Sequence, residues 1–290
     1  GVDVNEKDKE GATALHYACQ VRDACVVELL LQSGAEVNSK DSTGHSPLFH
    51  VLMSGDNEAG LEIIHILISH EADINAEDKS GSTPLSYALK NANTDIVKSL
   101  LKKDIDAADD NGDTPLHHAC LMGKVWLVEF LLQKHANPKA CNRKKRTPLH
   151  YVAKQNGDEK EIAKMVHLLF KNGADVNAKD EDDATPLHWA SRRATGMKIL
   201  LEKNAYANSR DKAGDTPINY AVNAIEDQET VLDTLRTLIK YGADVHSKNK
   251  DLESTLHFAS KRAKQDVTEF LIKEGIDPNI QERNKRSPLH

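Results

Sequence analysis

The chain predicts an all-α fold, a solenoid of short helical hairpins that are each preceded by an extended finger. Three observations carry that expectation. A segment of the form Thr-Pro-Leu-His-x-Ala recurs from Thr13, Ser46, Thr83, Thr114, Thr147, Thr185, Thr216, Ser254 and Ser287, at intervals of 33, 37, 31, 33, 38, 31, 38 and 33 residues. A second segment, of the form Gly-Ala-Asp-Val-Asn, recurs in fixed phase with the first at Gly1, Gly34, Gly173 and Gly242. Between the two, apolar residues fall at helical spacing in two runs, each too short to cover its own apolar face, so each unit needs neighbours.

The stretch from Asp109 to Lys139 sets out the unit. Thr114 is placed as an N-cap, and Pro115 follows where a helix has no use for an amide donor. Leu116, Ala119 and Cys120 give this first helix a small apolar side. Gly123 breaks the chain, and Val125, Leu127, Val128, Leu131 and Leu132 form the inner face of a second helix. Asp109-Asp110-Asn111-Gly112 opens the unit as a turn in which Gly112 is free to take a positive φ. The closing glycine supplies a left-handed C-cap, and degraded copies of its motif stand at Glu71, His135, Asn204 and Gly275.

Taken in order, the repeats differ mainly in length. Repeats two, five and seven lengthen the region between their helices by four or five residues, within Met53–Leu61, around Gln155–Glu159 and near Asn223–Glu229. A longer surface connection there costs little entropy, although tips of this composition also suit capping of neighbours or contact with a partner. Repeat three loses two residues at Leu101–Ile105, and repeat six loses two near Ala194–Gly196. Lys145 and Leu252 stand where the turn glycine of a finger belongs. The chain enters at Gly1 in a closing motif and leaves at His290 before a ninth helix pair, the pattern of a segment within a longer array.

Two motifs in fixed phase, with a 33-residue period, resemble the ankyrin repeat over essentially the whole chain. The resemblance implies one elongated array at residues 1–290, of about eight complete repeats in a right-handed superhelix with β-hairpin fingers. It implies a non-catalytic scaffold that binds another protein along a concave groove and its finger tips, with no cofactor, and monomeric as this segment. A targeting or recognition module of a larger enzyme, toxin, channel or secreted effector is the alternative, and the fold by itself does not separate the two.

Composition narrows the partners. The net charge of −7 comes from 45 acidic and 38 basic residues interspersed along the chain, which supports neither a general nucleic-acid surface nor an anionic membrane surface. No apolar stretch approaches the roughly 20 residues that span a bilayer. Four cysteines lack metal spacing, and Cys19 and Cys120 fall on the small inward side of first helices, so reduced core thiols and an intracellular, cytoplasmic setting are expected. Nucleophile elbows, phosphate loops and zinc-protease motifs are absent from the sequence.

Two sets of residues stand out as a candidate binding face. The position after the motif histidine holds Tyr17, His50, Tyr87, His118, Tyr151, Trp189, Tyr220 and Phe258. Rings repeated at a helix spacing suit the anchors of a protein interface, with packing on the adjacent helix and finger as the plainer use. Finger five carries Arg143, Lys144, Lys145 and Arg146, and the next finger carries Glu181, Asp182 and Asp183. Pairing between the fingers competes here with contact to an acidic protein patch, and nucleic acid ranks third.

The motif histidines His16, His117, His150, His188 and His257 belong to different repeats, too far apart to share an ion, and the resemblance assigns them to tying fingers to helix starts. Phe49, Ser86 and Asn219 replace that histidine, which leaves the order of three fingers open. Trp126 falls where a charged residue is usual, on the outer side or under the long connection of repeat five.

Overall fold

The computed structural model describes residues 3–54, 58–90, 94–101, 105–106, 108–191, 196–224, 227–262 and 264–288. The Gly1 entry, the centre of the repeat-two insertion, the Lys102–Asp104 part of the repeat-three deletion, residues 192–195 of repeat six, residues 225–226 and the final His290 lie outside them.

The helices come in pairs, as the two apolar runs of each unit require. They are α1 (Ala14–Val21) with α2 (Ala24–Gln32), α3 (Pro47–Met53) with α4 (Glu58–Ser69), and α5 (Pro84–Lys90) with α6 (Thr94–Leu100). Then follow α7 (Pro115–Leu121) with α8 (Val125–Gln133), α9 (Pro148–Ala153) with α10 (Glu159–Lys171), and α11 (Pro186–Ser191) with α12 (Met197–Glu202). The last pairs are α13 (Pro217–Val222) with α14 (Gln228–Lys240), and α15 (Thr255–Lys261) with α16 (Gln265–Lys273). The chain divides into two compact units, Gly1–Pro115 and Leu116–His290.

Within the first unit α1 packs on α3 and α3 on α5, while α2 packs on α4 and α4 on α6. First helices thus form one row and second helices another. Leu15, Leu48, Phe49, Leu52, Ile63 and Leu67 are fully buried between the rows. The second unit repeats the plan from α9 through α11 and α13 to α15, over a core that includes Leu127, Leu149, Leu169, Leu187, Leu235 and Leu256. Each fully buried leucine contributes about 2 kcal/mol through the apolar surface it removes from water.

The insertions of repeats five and seven become helix. The second helices α10 and α14 run to 13 residues where α2, α8 and α16 have nine. Asp158 and Asp227 cap the extended helices by accepting the amides of Lys160 and Thr230. What remains of each connection is gripped by a neighbour. Gln155 Nε2 donates to Cys120 O at 2.7 Å and to Leu121 O, closing the end of α7. In repeat seven, Asn223 Oδ1 accepts from Arg262 Nε at 2.9 Å and Ala224 O accepts from Lys264 Nζ at 2.8 Å. In these two repeats the inserted tips cap adjacent repeats.

The closing motif behaves as its glycine suggests. Gly34, Gly173, Gly242 and Gly275 have φ between 85° and 95°, and the degraded copies Glu71, His135 and Asn204 adopt the same left-handed turn at 64°. The asparagine that ends the motif has a use the sequence did not disclose. Asn5, Asn38, Asn177 and Asn208 each donate to the carbonyl of the next repeat's closing turn and accept an amide two residues further on.

Candidate functional site

Each finger is organised by its first residue. Asp8, Asp41, Asp78, Asp109, Asn142, Asp180 and Asn249 each turn Oδ1 back to accept the amides two and four residues ahead. The backbone amide of the same residue donates to the carbonyl four ahead, as from Asp180 to Ala184 at 3.0 Å. The fingers are therefore hairpin turns in their closing bonds but too short to pair as strands. Among the described residues the single β-bridge is Lys248 with Ser254. The same side-chain bonding employs Asp109 at the head of finger four.

Six pairs of neighbouring fingers are each linked once through the main chain. Ser42 N donates to Glu10 O and Lys79 N to Thr43 O in the first unit. In the second, Glu181 N donates to Lys144 O, Lys212 N to Asp182 O, Lys250 N to Ala213 O and Arg283 N to Asp251 O.

The motif histidines join finger to helix as the resemblance implied. Thr13 N–H and Oγ1 both lie about one hydrogen bond from His16 Nδ1, at 3.0 and 2.9 Å. Because Nδ1 accepts the Thr13 amide, the ring carries its hydrogen on Nε2, which donates to His45 O in the next finger at 3.1 Å. His150 reaches Ala184 O, His188 reaches Asp215 O and His257 reaches Arg286 O in the same way. Burial pushes His150 down to about 4 and lowers His16 and His188 as well, against the raising effect of those carbonyl bonds.

The three replacements do not leave their fingers open. Asn219 Oδ1 takes over the Nδ1 role toward Thr216 at 2.9 Å, Ser86 Oγ donates to Thr83 O at 2.7 Å, and Phe49 is buried against His45 and Tyr87. The fingers that follow them, three, four and eight, keep the closing bond from their first-residue amide, because that bond does not pass through the helix.

The column of rings shows a second regularity. The polar end of six of the eight rings meets the first residue of its own finger, nine positions back. Tyr87 Oη donates to Asp78 at 3.2 Å, Trp189 Nε1 to Asp180 at 3.2 Å and Tyr220 Oη to Asp211 at 2.8 Å, while Tyr151 Oη accepts from Asn142 Nδ2 at 3.0 Å. Tyr17 and His50 meet Asp8 and Asp41 likewise. The edges of the rings pack on the preceding repeat, Tyr151 on His117 and Tyr220 on His188. Tyr87, His118, Tyr151, Trp189 and Tyr220 are all half-buried, so each brace still leaves part of a ring at the surface. The signal was available as an acid or amide nine residues before every ring.

The two charged fingers meet at one residue. Arg146 Nε stands 3.8 Å from Asp180 Oδ2, and its guanidinium lies 4.7 Å from the centre of the Trp189 ring. Arg143, Lys144 and Lys145 are exposed, and among the described residues their side chains have no ion pair or hydrogen bond. Glu181 and Asp183 are half-buried and Asp182 is exposed, and none of the three pairs with those cations among the described residues. Trp126, the second residue of α8, has 36% of its surface exposed.

The cysteines are all free, and burial raises the Cys19 thiol to about 12 and the Cys120 thiol further. No helix among the described residues is long and apolar enough to cross a membrane. Asp41, His45 and His50 in finger two and α3 form a cluster with metal-ligating atoms within 4.8 Å of one another.

Comparison with known proteins agrees with this architecture. Part of the chain is 29% identical over 136 residues to the transient receptor potential cation channel subfamily A member 1 homolog of Caenorhabditis elegans, covering 40% of the chain and 11% of that protein. A 167-residue stretch is 30% identical to human neurogenic locus notch homolog protein 1, covering 46% of the chain and 6% of that protein. A 48-residue stretch is 48% identical to the ADP-ribosylation factor GTPase-activating protein AGD2 of Arabidopsis thaliana, covering 17% of the chain and 6% of that protein. The chain thus spans about a tenth or less of the length of these curated relatives. The profile described as "Ankyrin repeats (3 copies)" matches residues 1–78, 52–142, 108–180 and 149–249, and that described as "Ankyrin repeat" matches 251–283. With both signature motifs seated in eight helix pairs and these matches running along it, the chain belongs to the ankyrin-repeat family.

Proposed function

We infer that the chain is a non-catalytic recognition module that holds an acidic segment of a partner protein against the fingers and first helices of its second unit. The observation that carries this is the state of finger five. Arg143, Lys144 and Lys145 project three unpaired cations, while the finger beneath them is fixed by Asn142, Tyr151 and the link to Glu181. A preorganised backbone that displays uncompensated charge binds without ordering itself first, and charge of one sign sets both partner choice and encounter rate. The half-buried rings of Tyr151, Trp189 and Tyr220 would then serve as the apolar floor beside that charge.

The test is affinity purification or crosslinking with the parent chain and with R143E/K144E/K145E. The three side chains make no ion pair or hydrogen bond among the described residues, so the variant is expected to melt with the parent. Its protein partners should be lost, and retention of every partner by the folded variant would remove the proposal. Binding that follows nucleic acid, and that weakens steeply with salt, would favour the third reading.

The small share of each relative that the chain covers favours a second reading, compatible with the first, in which the array serves as the targeting part of a larger multidomain protein. Full-length transcript sequencing decides it directly.

A further inference from the structure

Finger two differs from its counterparts in a way that hydrogen bonding alone does not explain. The ring column has a histidine at His50, and the last finger position has a second at His45, where the other fingers carry Ala12, Ser82, Asp113, Arg146, Ala184, Asp215, Glu253 or Arg286. Asp41 lies between them. Its Oδ1 is fully used, by the amides of Thr43 and His45 and by the Thr43 hydroxyl at 2.6 Å. Its Oδ2 faces His50 Nε2 at 2.9 Å.

His45 carries the stronger signal. The Thr43 hydroxyl spends its hydrogen on Asp41, so its 2.8 Å contact with His45 Nδ1 requires the hydrogen to be on the ring nitrogen. For the neutral ring that leaves a lone pair on Nε2, which stands 3.3 Å from the Asp78 carboxylate. Tyr87 Oη is within reach of both, at 3.4 and 3.2 Å, but has one hydrogen to give. Asp41, His45 and His50 each place one ligand atom within 4.8 Å of the other two, a spacing that suits a cation.

We propose that Asp41, His45 and His50 form a binding site for a borderline divalent transition metal of the zinc type. Two imidazoles and a carboxylate are a zinc donor set, and water completes four-coordination. Ligand atoms around tetrahedral zinc lie about 3.3 Å apart, given metal–ligand bonds near 2.0 Å, so the present spread of up to 4.8 Å closes with small side-chain rotations. The ion would clamp finger two, which holds Asp41 and His45, to α3, which holds His50. In repeats one, three and seven a tyrosine–aspartate hydrogen bond makes that connection.

The experiment is calorimetric titration of the chelator-stripped chain with zinc chloride, in a C25S/C141S background that removes the two exposed thiols. One equivalent should bind per chain and raise the melting temperature. H50Y restores the ring used at Tyr17, Tyr87 and Tyr220, and H45S restores the residue used at Ser82, so both metal-free variants should melt close to the parent. Each should weaken zinc binding by more than about 100-fold, since even outer partners of metal ligands are worth 10- to 100-fold. Absence of saturable binding in the parent, or binding that survives in either variant at parental strength, overturns the site.

Discussion

Arg146 lies over Trp189, 4.7 Å from guanidinium carbon to ring centre, and so closes finger five onto the first helix of the following repeat. Lys154 adds a second cation 5.8 Å from the same ring. The fourth residue of the basic run is thereby committed to the fold, while the first three stay available. Arg146→Ala should cost about 1–2 kcal/mol, the range of a partly desolvated cation–π contact. In a W126F background, where Trp189 is the remaining tryptophan, its emission should shift to the red on loss of the cover. An unchanged spectrum would mean that the guanidinium does not rest on the ring in solution.

The first residue of each finger is matched to the ring it braces. Trp189 Nε1 is a donor only and needs the Asp180 carboxylate, whereas the Tyr151 hydroxyl can accept from the Asn142 amide. Asp180→Asn should therefore set two donors against each other or empty one bond, costing about 1–3 kcal/mol at this buried position. Asn142→Asp should be tolerated within about 0.5 kcal/mol, because tyrosine can reverse its hydrogen bond. Urea unfolding of both variants checks the asymmetry, and equal costs would refute it.

Acid should loosen the second unit before its carboxylates titrate. His150 has an ordinary imidazole pKa in the unfolded chain and about 4 in the folded one, because burial outweighs its bond to Ala184 and the nearby Asp180. Between pH 6.5 and about 4 the unfolded state binds a proton that the native state refuses, so stability falls as pH falls through that window and is intact above it. The loss is at most about 3 kcal/mol from this residue, and His188 is lowered in the same direction. Asp215, raised by burial, opposes the trend nearer its own range. His150→Asn, which copies the amide used at Asn219, should flatten the slope of melting temperature against pH over this interval.

Left-handed finger turns give a pair of opposite outcomes. At Gly44, φ is +88° and an added Cβ would sit 2.8 Å from Lys79 N, the amide that links finger three to finger two. Gly44→Ala should cost about 2–4 kcal/mol from backbone strain and the lost approach together. Leu252 already holds a left-handed turn at φ 63° with its side chain half in solvent. Leu252→Gly should raise stability by about 1 kcal/mol, read from the denaturation midpoint.

Much of this was legible in the residue pattern, for identifiable reasons. Thr-Pro at helix starts, the small inward Ala and Cys, and the left-handed closing turn are local consequences of backbone chemistry, so spacing located every helix pair. Lengths were harder. The insertion at Gln155–Glu159 reads as loop, yet Asp158 caps it into an extra turn of α10, and Gln155 finds its acceptor 35 residues back on α7. The order of the fingers that follow Phe49, Ser86 and Asn219 also escaped the pattern, because the decisive bond belongs to the finger's own first residue. The column of rings was visible from spacing, but its bracing to Asp78, Asn142, Asp180 and Asp211 depends on a nine-residue relation across a turn that no helical or strand period contains. His45 and His50 looked like ordinary variants until the fold brought Asp41 between them.

Six of the links that pass from finger to finger are amide to carbonyl and involve no side chain, beside side-chain contacts such as Arg146 with Asp180 and Glu77 with the Asp110 amide. That main-chain part of the cohesion is blind to what the tips carry. A lineage can rewrite residues such as Arg143, Lys144 or Asp182 to suit a new customer while the row itself registers nothing, and evolution of specificity here need not be checked at each step by the risk of unravelling.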